Sequence, residues 1–126
     1  MPQAVNSPNA PAAIGPYSQA VMTQSLLFIS GQLPVDPISG QLEEDDIKKQ
    51  THRSLQNIRA ILEQADATMG QVVKTTVYLR DMKDFAMMNE VYAEYFSSEP
   101  QPARAAVQVA ALPKDVRVEI EAIAVK

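Results

Sequence analysis

The sequence predicts an α+β fold, a mixed β-sheet with two helices packed on one face, in a single domain over residues 1–126. Three observations lead there. Two stretches repeat apolar side chains at steps of three and four residues. Five others alternate, or run apolar, over the length of a strand. Their order, β-β-α-β-α-β-β, contains β-α-β units that put both helices on the same side of the sheet.

Residues 1–17 are rich in Pro, Asn and Ala, end in Gly15-Pro16-Tyr17, and read as an irregular lead-in. Ser18–Met22 and Leu26–Ser30 read as short strands around a polar turn, and Asp36-Pro37-Ile38-Ser39-Gly40 as a further turn. Glu43, Glu44, Asp45 and Asp46 crowd the start of the first helix, where carboxylates cap free N–H groups. Ile47, Thr51, Leu55, Ile58, Leu62 and Ala65 form its stripe, and Gly70 is the expected breaker. Val72–Leu79 is a β-branched strand, with Val73, Thr75, Val77 and Leu79 on one face and Val72, Lys74, Thr76 and Tyr78 on the other.

Asp84 opens the second helix, with Phe85, Met88, Tyr92 and Phe96 on one side, and Pro100 and Pro102 close it. Ala103–Ala110 and Val116–Val125 finish the chain as strands joined by a turn at Leu112–Asp115. The last strand has apolar residues on both faces, so the sheet face without helices is expected to expose an apolar patch. Such patches usually mark subunit contacts, which predicts an oligomer.

The chain is 46% hydrophobic and 21% charged, ordinary for a globular domain. It has no cysteine, which excludes disulfides, thiolate metal sites and cysteine nucleophiles. A net charge of −4, with no basic run longer than Lys48-Lys49, argues against a nucleic-acid partner. No apolar run approaches the ~20 residues of a membrane span, and no targeting segment is evident, so the expected location is cytoplasmic.

Arg104 is the first candidate for chemistry. It follows Pro102-Ala103 at the head of an apolar strand, where a charge needs a partner. That partner is either a structural carboxylate or a substrate carboxylate held by the guanidinium fork. Glu119 and Glu121 share a face of the last strand, either as solvated charges or with one acting as general base. Asn89 projects from the apolar face of helix two, bonded to backbone or facing a ligand. Tyr17 follows a Gly-Pro turn, and Ser30-Gly31 ends a strand, so both offer hydroxyls beside a glycine. His52 is expected at the surface, and Met82, Met87 and Met88 in packing. Glycine-rich phosphate loops, paired metal histidines and nucleophile elbows are missing. An enzyme so equipped works by binding and water positioning, which suits hydrolysis of an activated C=N bond.

The stretches Ala10-Pro11-Ala12-Ala13-Ile14-Gly15-Pro16-Tyr17-Ser18-Gln19 and Ile29-Ser30-Gly31-Gln32-Leu33-Pro34 resemble the N-terminal half of the RidA/YjgF family. Lys74–Leu79 and Asp84–Asn89 resemble its middle, and Pro102-Ala103-Arg104, Leu112–Val116 and Val118–Ala124 its C-terminal signature. The resemblance implies a chorismate-mutase-like fold in a homotrimer, with active sites in the clefts between subunits. It implies hydrolysis of reactive enamine/imine intermediates, such as 2-iminobutanoate and 2-iminopropanoate, with no cofactor and no metal. It implies that Arg104 forks the substrate carboxylate, assisted by backbone at Gly31 and Ala106. Glu119 would hold or activate the attacking water, while Tyr17, Ser30 and Asn89 line the pocket.

Ala106 stands where many members have cysteine, Gln108 where they have glutamate, and Gln101 where they have an aromatic residue. Ala106 keeps the backbone N–H but removes a thiol. The alternatives to a deaminase are a sensor of 2-oxo or amino acids and, with less support from charge, an endoribonuclease or translation inhibitor.

Overall fold

The computed structural model describes residues 1–126. One six-stranded mixed sheet organises the chain, in the order β1-β2-β3-β6-β4-β5. Its strands are β1 (Gln3–Val5), β2 (Ala20–Met22), β3 (Leu26–Gln32), β4 (Val72–Leu79), β5 (Ala103–Gln108) and β6 (Val118–Val125). Helices α1 (Ile47–Gln64) and α2 (Phe85–Tyr95) cover one face, as the pattern predicts.

The lead-in is not wholly irregular, because Gln3–Val5 pairs antiparallel with β2. Its register comes from backbone pairing at an edge, which leaves no alternation to read. The four acids before α1 divide their tasks. Asp46 alone caps, accepting from Lys49 N at 2.9 Å, while Glu43 pairs with Arg53, Glu44 with Lys49, and Asp45 with Arg80 and Arg117. The helix stops at Gln64, ahead of the expected breaker: Asp66 takes the left-handed conformation (φ 57°), and Gly70 sits in a short 3-10 turn.

In β4 the expected alternation fails at its first step. A bulge between Val72 and Lys74 turns Val72 into the core and Val73 out, after which Thr75, Val77 and Leu79 are buried as expected. Asp84 stands at the start of α2 without capping it; its carboxylate instead accepts from Arg117 at 3.2 Å. Met88 is buried in the core, but Met82 and Met87 are exposed, so only one of the three methionines packs.

The last two strands do not form a hairpin. β4 lies between them, parallel to β5 and antiparallel to β6. The connection crosses over through a 3-10 turn in which Lys114 and Asp115 are left-handed, tied down by Arg80 donating to the Asp115 carbonyl at 2.8 Å.

Leu27, Ile29, Val77, Leu79, Val118, Ile120, Ala122 and Ala124 meet Leu55, Ile58, Ile61, Leu62, Met88 and Val91 beneath the helices. The opposite face has no cover. It is apolar at one end through Val21, Phe28, Ile123 and Val125 and again on β5 through Val107, and polar through Ser30, Lys74, Thr76, Glu119 and Glu121. No helix is long and apolar enough to cross a membrane.

Candidate active site

Arg104 does not carry its charge into an apolar interior, because β5 is an edge strand and the residue is exposed. Its register partner on β4 is Thr75, a buried residue, so its side chain lies on the helix-covered side. There Nη1 donates to Asn89 Oδ1 at 2.6 Å, and the guanidinium rests over Tyr92 (4.8 Å) and Phe85 (5.5 Å). Tyr92 is fixed in turn by a 2.7 Å hydrogen bond with Thr75 Oγ1. None of the ion pairs includes Arg104. Asn89 is thus explained by its bond to this arginine, and four of the guanidinium's five N–H groups remain outside that bond.

Ala106 lies two residues on. Val109 N donates to the Leu79 carbonyl at 3.0 Å, which fixes the odd-numbered positions here as those facing β4. The N–H of Ala106 therefore points out from the free edge of the sheet, on the same side as the backbone of Arg104.

A second group forms where β3 meets β6. Ile29 pairs with Ala122 and Gln32 with Ile120, so Ser30 and Gly31 together oppose Glu121 in a bulge. Ser30 Oγ donates to the Ser18 carbonyl at 2.6 Å, and Ser30 N donates to the Gln19 carbonyl at 2.9 Å. Glu119 lies half-buried against Gly31. Burial raises its carboxyl above the ordinary value, and the charge of Glu121 adds to the rise. Tyr17 and Gly31 share the wall of a cavity of about 540 Å³, with Ile14, Gln32 and Lys114.

The sequence-predicted residues thus gather into two groups: Arg104, Asn89 and Ala106 at the free edge beside α2, and Tyr17, Ser30, Gly31 and Glu119 around the β3 bulge. They do not meet within one chain. Glu119 on β6 pairs with Tyr78 on β4, and alternation puts both on the face opposite to Thr75 and Arg104. His52 is half-buried, its Nδ1 3.0 Å from the Tyr95 hydroxyl, and lies away from both groups. No cluster of three or more His, Cys, Asp or Glu side chains is placed to hold a metal ion.

Gln19 escaped the sequence reading. Its amide accepts from Ser7 N at 2.6 Å and donates to the carbonyls of Ser7, Ala10 and Pro11, so it ties down the loop that leads to Tyr17. An amide at the threshold of an apolar strand was the available signal. Lys114 gave none, because only the crossover turn brings it to the cavity.

Residues 7–126 match the protein family described as Endoribonuclease L-PSP. The chain belongs to this family, the RidA/YjgF family. It is 57% identical over 126 residues to a RutC family protein of Pyrococcus horikoshii, covering 100% of this chain and 99% of that one. It is 48% identical over 128 residues to the 2-iminobutanoate/2-iminopropanoate deaminase of Salmonella typhimurium, again covering 100% and 99%. Among solved structures it is similar to E. coli TdcF with bound serine, at a TM-score of 0.93 and 45% identity, covering 98% of each chain. The single mixed sheet with two helices is the fold of this RidA/YjgF family.

Proposed function

We propose that this protein hydrolyses 2-imino acids to 2-oxo acids and ammonia, in a cytoplasmic homotrimer whose sites lie between subunits. The observation that carries the reading is the division of the site. Arg104 has no carboxylate partner and emerges at a free edge, while Glu119 lies on the opposite face with its carboxyl unbonded. A second copy bringing its Glu119 side to this chain's Arg104 edge completes a pocket that neither chain has alone. The deaminase name of the Salmonella relative and the serine bound to TdcF support a small amino-acid-like ligand.

In that pocket the guanidinium and the Ala106 N–H hold the substrate carboxylate. Asn89 and the two aromatic rings fix the fork before the ligand arrives, so little ordering remains to be done. Glu119 takes a proton from water as the oxygen adds to the C=NH2+ carbon, then returns it to nitrogen. Collapse of the tetrahedral adduct breaks the C–N bond and leaves the 2-oxo acid and NH4+. A raised carboxyl pKa brings this base closer to neutrality, where proton transfer is most effective.

The family's description names an endoribonuclease. The net charge of −4 and a lone histidine engaged by Tyr95 favour the imine over RNA.

The test generates 2-iminobutanoate with a threonine dehydratase, traps what escapes with semicarbazide, and follows 2-oxobutanoate. Wild type accelerates its release and Arg104→Ala does not. Mixing Arg104→Ala with Glu119→Ala chains through dissociation and reassembly restores part of the rate, because some sites then receive both intact halves. An inactive wild type ends the deaminase reading, and two inactive variants that reassemble with each other without regaining any rate end the shared site.

A further inference from the structure

The two kinds of glycine in this chain differ in what they need. Gly40 is left-handed (φ 73°) with nothing within 4 Å of the place a Cβ would take, so its backbone requires glycine. Gly31 is the reverse. Its φ lies outside the left-handed region, and any residue adopts such a backbone. A Cβ there would collide with Glu119 Oε2 and stand 2.9 Å from Cδ and 3.2 Å from Cγ. Space, and not conformation, is what Gly31 supplies.

We propose that Gly31 is a positioning residue for Glu119, its missing side chain forming the seat on which the carboxyl lies against the β3 bulge. The catalytic consequence rests on the deaminase reading; the seat itself does not. The bulge opposite Glu121 brings the Gly31 backbone under the neighbouring side chain of β6. Seated there, the carboxyl is half-buried and none of the hydrogen bonds engages it, which keeps it free to handle a water. The titratable groups on the same face are Glu121 on β6, and Tyr78 and Lys74 on β4, while β3 adds none and the loops bring Tyr17 and Lys114 to the cavity that Gly31 walls. With no cation seated directly against it, the position of the carboxyl decides how readily it keeps its proton.

The obstructing atoms are the end of a flexible side chain, so Gly31→Ala folds and the carboxyl swings toward water. Carboxyl 13C NMR titration, with Glu119→Gln to assign the signal, is expected to show Glu119 titrating lower in Gly31→Ala than in wild type. The acid limb of the kcat profile for 2-iminobutanoate moves down in pH with it, and kcat at neutral pH falls about 10- to 100-fold. In a Glu119→Ala background the added Gly31→Ala changes kcat by less than about twofold, since no carboxyl remains to displace. An unshifted titration overturns the proposal, as does an equal loss with and without Glu119. A shifted titration in a wild type that hydrolyses no imine retains the seat and removes the deaminase reading alone.

Discussion

Arg104 near the start of β5 and Arg117 just before β6 look alike in sequence, each a lone arginine leading into an apolar strand. Their surroundings differ. Arg117 donates from Nε to Asp45 at 2.8 Å and from Nη1 to Asp84 at 3.2 Å, and its backbone N–H is taken by Gln50. These bonds tie the start of β6 to both helix N-termini. Arg104 has an amide and two aromatic rings, groups that orient a guanidinium without neutralising it. An arginine whose charge is answered inside the chain is structural, and one that is oriented but unanswered is ready for an anion.

The largest expected effect comes from removing the unanswered charge. Arg104→Ala should lower kcat/KM for 2-iminobutanoate by on the order of 100-fold, the equivalent of about 3 kcal/mol, and leave the urea midpoint nearly unchanged. Arg104→Lys should recover only part of this, because a point charge does not fork a carboxylate. Arg117→Ala should do the opposite, lowering unfolding free energy by about 1–2 kcal/mol with kcat per folded molecule unchanged. Loss of activity in Arg117→Ala at full stability would erase the distinction between the two.

Glu119 sharpens the comparison through pH. Its folded pKa is raised, so between its unfolded and folded values the folded protein binds more protons than the unfolded one. Its contribution to stability is therefore fully present below the ordinary carboxylate value of 4.5 and is lost as pH rises through the folded value. Glu119→Gln should melt higher than wild type at neutral pH, with the gap closing as pH falls through the folded value and gone below 4.5, while kcat stays lowered throughout. A gap that does not change with pH would mean the carboxyl is ordinary. The smallest effect belongs to Tyr92→Phe. It removes the buried bond to Thr75 for about 1 kcal/mol and keeps the ring under Arg104, so chemical denaturation should register it and kcat should scarcely move.

Much of the fold was legible because periodicity is local. The stripe from Ile47 to Leu62, and the alternation of Val118, Ile120, Ala122 and Ala124, follow from 3.6 and 2 residues per repeat. β1 was hidden because its register is set by β2 and not by its own side chains. The reversal at Val72 and Val73 was hidden because a bulge is a property of two strands. Gly31 was legible as a glycine beside a hydroxyl, but not as the seat of Glu119, eighty-eight residues away along the chain.

By itself the sequence determined the two helices, five of the six strands, most of the core faces and the family, through patterns read within a few residues and through signature stretches along the chain. Only the tertiary structure decided that β4 separates β5 from β6, that Arg104 is exposed at an edge, and that it and Glu119 face opposite ways. Strand order and sheet face are long-range quantities. They depend on which strands pair and where a crossover passes, and no local period of side chains encodes either.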